Sequence, residues 1–229
     1  MPTPQDYAQE RGLEVNNSAI SDKKITPKSQ HTRESILHTA IEEFAHIGYQ
    51  HATTAGIAKR AGISKGLIFY HYESKEVLLL EALKYGIDFF ERNLFANPEF
   101  ATTTDIFERI KFIGRMKYDF FKEYYTLNAM IVDAYKLANI PGHENIRAYF
   151  EEIIALSVPK FFDGVDTSKF RSTLSGEEII AFIIDVMSLV AQRYLHPQIG
   201  AHSSLEDIDK AFAKAEVYID LIKHGVYNS

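Results

Sequence analysis

Residues 53 to 75 read TTAGIAKRAGISKGLIFYHYESK. The pattern predicts a helix that starts at Thr53 or Thr54, where a threonine oxygen caps free amides, and stops at Gly62. Ala58 leaves no bulk where two helices must cross closely, and Ile57, Ile63 and Ile68 fall on the inward side. Ser64 then caps a second helix of about two turns. The amide-rich start of that helix, at Lys65, Gly66 and Leu67, suits a phosphate. A helix, a tight turn and a short exposed helix form the arrangement that reads DNA, in which phosphate contacts set the register and base edges carry sequence.

The segments on either side extend the helical reading. Ile36, Leu37, Ala40, Ile41, Phe44 and Ala45 recur at helical spacing in a helix that ends at Gly48. Ser74 caps a further helix with Leu79, Leu83, Gly86 and Phe90 on one face, running to about Ala96 and joining the two parts of the chain. Helices are expected over 104–124, 126–138, 143–161, 176–195 and 204–224, separated by stretches holding Pro98, Pro141, Gly164 and Pro197. Ser175 with Glu178, and Ser203 with Glu206, have capping-box spacing. No strand pattern or repeat is evident, so the expected class is all-α: a three-helix helix-turn-helix domain at the N-terminus, then a larger helical domain. The expected boundaries are a mobile polar tail over 1–30, the helix-turn-helix domain over 31–75 and the helical ligand-binding and dimerisation domain over 76–229. Lys23, Lys24 and Lys28 in the tail are either a basic arm for the minor groove or a solvated extension.

From about Thr32 to Leu83 the sequence resembles the DNA-binding domain of the tetracycline-repressor (TetR/AcrR) family of bacterial transcriptional regulators. The resemblance rests on four linked pieces in family order: a helix ending in FAHIGYQHATT, then IAKRAGISKG, then an aromatic pair followed by His71, then SKEVLL. It implies DNA contacts, chiefly to the backbone, from Thr54, Lys65, Tyr70, His71 and Lys75, with Gly66 admitting close approach. Ser64, Leu67 and Phe69 complete the candidate DNA-binding set. Phe69 departs from the family's usual tyrosine, so it either forgoes a phosphate hydrogen bond or covers the turn. Leu67 replaces a residue that is often polar, and is positioned to meet a thymine methyl group. Gly56 replaces a common acidic residue that would complete a capping box, so this helix is expected to fray more easily. Tyr72 is expected in the core. The resemblance further implies a ligand-responsive dimeric repressor on a palindromic operator, released by a small apolar or aromatic effector.

Charge divides the chain in the same way. From Lys23 to Lys75 there are eight Lys and Arg against four Asp and Glu, a local net of +4 in a chain of −6. Phosphate should therefore attract one end and repel the rest. With 229 residues, 46% of them hydrophobic, the chain has material for a sizeable core. It has no cysteine, which excludes disulfides and thiolate chemistry. IIAFII, the longest apolar stretch, is cut by Asp185 well short of the roughly 20 residues of a membrane span. The first thirty residues lack the apolar segment of a secretory signal, and a cytoplasmic protein without membrane contact is expected. No nucleophile elbow, phosphate-binding glycine loop or zinc motif is present, and the nine histidines show no paired ligand spacing. His46 and His51 read as surface residues. Neither a metal nor a cofactor is expected, nor catalysis; the competing reading is an all-helical small-molecule carrier or enzyme with an incidental helix-turn-helix.

The middle helices are rich in aromatic residues and methionine, which line apolar pockets as readily as they fill cores. The candidate ligand-binding residues are Phe112, Met116, Phe120, Tyr124, Asp133, Tyr135, Phe150, Phe182 and Asp185. Asp133 and Asp185 interrupt apolar faces and need partners. They serve either a cationic aromatic ligand or an ion pair, for example with Arg193 or Arg147. The last two long helices are the expected dimer surface, formed by Ile184, Ser188, Ala211, Ala215, Tyr218, Ile219 and Ile222 in a four-helix bundle. A two-fold dimer suits a short reading helix, which gains specificity from a second copy about one helical turn away.

Overall fold

The structure is a computed structural model that describes residues 27–170, 174–191, 193 and 205–226. The chain divides into a unit of residues 1–33, of which only 27–33 are described, and a unit of residues 34–229. Most of the expected tail, with Lys23 and Lys24, and the Ser203 half of the second capping box lie outside the described residues.

The fold is all-α. In chain order the helices are α1 (Pro27–His51), α2 (Thr54–Arg60), α3 (Lys65–His71), α4 (Lys75–Ala96), α5 (Pro98–Thr102), α6 (Ile106–Glu123), α7 (Tyr125–Ala138), α8 (Glu144–Phe162), α9 (Gly176–Val190) and α10 (Leu205–Val226). The first begins at Pro27, inside the stretch read as tail. Its regular geometry breaks at Gly48, whose φ of 76° is open to glycine without strain. The short α5 was not anticipated, although Asn97 caps it and Pro98 stands at its start, where a missing amide hydrogen costs nothing.

Local chemistry fixes the helix ends. Thr53 accepts from the Gly56 amide at 3.0 Å, Ser74 from Val77 at 3.1 Å, and Ser175 forms a complete capping box with Glu178. Such caps are each worth about 1 kcal/mol. Ser64 occupies the cap position of α3 without a capping bond from its side chain.

One apolar core runs without interruption from the helix-turn-helix into the larger domain. It begins with Ile36, Phe44, Ile57, Ile68 and Tyr72, continues through Leu79, Leu83 and Phe90 of α4, and reaches Phe112, Met130 and Phe150. The two parts therefore share packing, and α4 is their common wall. At Gly86 this wall meets α7 so closely that a methyl group there would lie 2.9 Å from the Cδ1 atoms of both Leu127 and Ile131. A second cluster, with Phe107, Ile179, Ile183 and Ile219, joins α6 to α9 and α10. The buried Arg109 is satisfied by the carbonyls of Thr103, Phe161 and Asp163 at 2.6, 3.2 and 3.0 Å, and ties α6 to the end of α8. Among the described residues no helix is long and apolar enough to cross a membrane, and no group of three or more His, Cys, Asp or Glu is arranged to hold a metal.

Candidate DNA interface and effector cavity

In the helix-turn-helix, α2 closes on the Ile57 carbonyl through the Ala61 amide, and Gly62 turns the chain with a φ of 67°. Ile63 then donates back to the Ala58 carbonyl at 3.0 Å, holding the turn tight. Ile57, Ala58, Ile68 and Tyr72 are buried, which leaves Lys65, Gly66, Phe69 and Tyr70 of α3 facing outward. Tyr70 packs edge-on against His71 at 5.0 Å, and the Lys65 ammonium lies 5.6 Å from the centre of the Phe69 ring. Thr54, Leu67 and His71 are half-buried beside this surface. His46 and His51 are exposed.

Lys75, an expected DNA contact, also makes bonds within the protein. Its ammonium donates to the carbonyls of Tyr49 and Ala52 at 2.8 and 2.9 Å and sits 4.3 Å from the centre of the Tyr49 ring. Burial there pushes its pKa below the usual lysine value. With two of its three donors engaged inward, Lys75 is a clamp that fastens the start of α4 to the end of α1. Arg60 is engaged as well, bonding Glu43 at 2.7 Å and Glu42 at 3.0 Å and so pinning α2 to α1. Glu43 also explains the glycine at position 56: a Cβ there would stand 3.2 Å from its carboxylate. An acidic residue at 56 would set like charges against each other, while Arg60 supplies from outside the helix some of the hold that a capping box gives from within.

The larger domain encloses a cavity of about 780 Å³ between α4, α6, α7, α8, α9 and α10. That is in the range of roughly 300–1,000 Å³ usual for small-molecule sites. Of the expected ligand residues, Phe120, Tyr135 and Phe150 line it. Phe112, Met116 and Tyr124 pack into the core beside α4 instead. Phe182 is 52% exposed on the outer face of α9. Neither expected carboxylate reaches the cavity. Asp133 lies 3.8 Å from Lys136 one helical turn away, and Asp185 is exposed with no ion pair among the described residues. Arg147 donates from Nε to the Ala138 carbonyl at 3.0 Å and forms no ion pair with either aspartate among the described residues. Both carboxylates meet water rather than an apolar wall, which removes the reason for assigning them a cationic ligand.

The expected dimer residues also redistribute. Ile184, Ser188, Ala215 and Ile219 line the cavity, and Ala211 is buried against Phe121 of the same chain. Tyr218 and Ile222 are half-buried. The small-residue stripe of α10 faces inward because α10 packs closely along α6. The outward apolar residues of these two helices are Phe182, Leu189, Val217 and Leu221, each more than half exposed.

The residue missed in the sequence is Lys117. It lies on the stripe of α6 formed by Ile110, Ile113, Gly114 and Phe121, all of which line the cavity with it. A lysine on an otherwise apolar helix face was the available signal.

Residues 36–82 match the sequence profile of the family described as bacterial regulatory proteins, tetR family. An uncharacterised helix-turn-helix transcriptional regulator of Bacillus subtilis, YerO, is 46% identical over 55 residues, covering 24% of this chain but only 19% of that protein. The helix-turn-helix transcriptional repressor KstR2 of Mycolicibacterium smegmatis is 25% identical over 200 residues, covering 86% of this chain and 91% of its own. Among solved structures, a TetR-family transcriptional regulator from a Rhodococcus species shares the fold with a TM-score of 0.61 at 18% identity, covering 84% of this chain and 98% of that one. Over residues 36–82 the chain is thus similar to helix-turn-helix regulators of the TetR family, and along most of its length it shares the fold of a solved TetR-family regulator.

Proposed function

We propose that the chain is a homodimeric repressor that occupies a palindromic operator and leaves it when a small molecule fills the cavity. The observation that carries this reading is the double duty of α4. Its first residues are clamped to the helix-turn-helix through Lys75, and further along Gly86, Ile87, Phe90 and Glu91 wall the cavity. A ligand that requires a different position of α4 also requires a different position of the reading helices. Differential affinity for the two positions drives release, and near-complete switching takes on the order of 5 kcal/mol. That the KstR2 relative is a transcriptional repressor supports repression.

Pairing of two copies through α9 and α10 would cover Phe182, Leu189, Val217 and Leu221, and would set two α3 helices on one duplex. Selection of random duplex DNA by the purified protein at near-physiological salt tests the reading. A palindrome with half-sites about one turn apart is expected. Failure to enrich any sequence, or recovery of a single unpaired half-site by a monomer, would overturn it.

A further inference from the structure

We propose that the cavity takes an apolar molecule bearing a single terminal anionic group, with its body against the aliphatic and aromatic walls and its anion on the Lys117 ammonium. The inference rests on the reading of the cavity as an effector site and supplies the ligand's chemistry.

The polar groups around the cavity are otherwise occupied. Lys111 binds Asp220 at 2.9 Å and Arg115 binds Glu99 at 3.2 Å. Glu91 accepts the Ser157 hydroxyl and faces Lys160, and Asp209 accepts the Tyr118 hydroxyl. Glu216, the remaining lining carboxylate, acts on Lys111. Among the described residues Lys117 has no hydrogen bond and no ion pair, and its side chain is exposed within the concavity. Desolvation by the surrounding protein lowers its pKa from the usual lysine value. Water reaches this ammonium in the open concavity, and a bound anion that displaces the water would supply the counter-charge that the described residues do not.

The space for the body of the ligand is adjacent. One turn earlier on the same stripe, a Cβ built on Gly114 would meet nothing within 4 Å. Across from α6, Phe150, Ile153 and Phe161 of α8 offer apolar surface. A cation is less favoured, since the lining carboxylates Glu91 and Asp209 already accept hydroxyl hydrogen bonds and Glu216 acts on Lys111.

Calorimetric titration of the purified full chain with dodecanoate, dodecanol and dodecyltrimethylammonium provides the test. Dodecanoate is expected to bind at least tenfold more tightly than dodecanol, and the cation more weakly than either. Lys117→Met should reduce dodecanoate to the affinity of dodecanol, Lys117→Arg should retain the preference, and Gly114→Leu should weaken dodecanoate and dodecanol together. Absence of dodecanoate binding, equal affinity for acid and alcohol, or an undiminished preference in Lys117→Met would overturn the proposal. DNA takes no part in these titrations. A carboxylate preference without operator selection would therefore keep the site and remove the regulatory reading, and operator selection without the preference would do the opposite.

Discussion

Gly86 and Leu127 touch at a separation that leaves no room for a side chain: a Cβ on Gly86 would lie 2.9 Å from Leu127 Cδ1 and 3.2 Å from its Cγ. This contact sits midway along α4, where the helix passes from the helix-turn-helix to the cavity wall. Gly86→Ala sets two effects against each other. Replacing a mid-helix glycine gains about 0.5–1 kcal/mol, whereas overpacking a buried contact costs about 1–3 kcal/mol. Steric cost should win, with a net loss of about 1 kcal/mol in urea denaturation. The displaced α4 should also change operator affinity in the absence of any ligand. A variant with raised stability and unaltered DNA binding would show that the close approach has no bearing on the reader.

Lys65 and Lys75, both expected to touch DNA, should behave differently. Loss of a phosphate contact in Lys65→Ala is expected to reduce the salt dependence of operator binding by about one unit of slope. Lys75→Met removes two charge-assisted hydrogen bonds within the protein, so stability should fall by about 2 kcal/mol while the salt slope stays that of the parent. Binding titrations across a salt series, together with thermal melts, separate the two roles.

His38 gives the fold a dependence on mild acid. Burial lowers its pKa below 6.5, against the opposing pull of Glu34 and Glu42, and its ring packs edge-on to Tyr85 of α4 at 5.7 Å. Since the folded value lies below the unfolded one, the unfolded chain holds more protons between the two. Stability should therefore decline as pH falls through about 6.5 and level off below the folded value. His38→Gln should flatten that decline when urea midpoints are compared at neutral and mildly acidic pH.

Phe182 and Leu221 are 52% and 66% exposed on α9 and α10. If two copies meet on that face, Phe182→Glu with Leu221→Glu should give a monomer in sedimentation equilibrium while the melting transition stays cooperative. A dimer that persists would move the interface elsewhere.

Much of the architecture was legible because its signals are local. Thr53, Ser74 and Ser175 cap helices by accepting from amides three residues away, and Gly48 and Gly62 mark positive φ angles that other residues avoid. The cavity was only partly legible because α6 is buried on two sides. Phe112 and Met116 face α4, whereas Ile113, Lys117 and Phe121 face the cavity, and helical periodicity does not say which apolar face meets a neighbour and which a void. The same ambiguity affected α10, where the stripe of Ala211, Ala215 and Ile219 turned toward its own chain and left Val217 and Leu221 outside. Lys75 shows another limit: a cation next to a DNA-reading helix invites a phosphate, and only three-dimensional contact reveals that it also holds the Tyr49 and Ala52 carbonyls.

The position of Gly86 along α4 also sets a mechanical ratio. Between Lys75 and Gly86 the helix rises about 16 Å, so a tilt of about 10° centred on that glycine would carry the clamped end through about 3 Å. In a two-fold pair the displacements would oppose each other and change the distance between reading helices by up to about 6 Å, close to two base-pair steps. A rearrangement at the cavity no larger than the repacking of one leucine would then be enough to take both helices out of register with consecutive turns of a duplex.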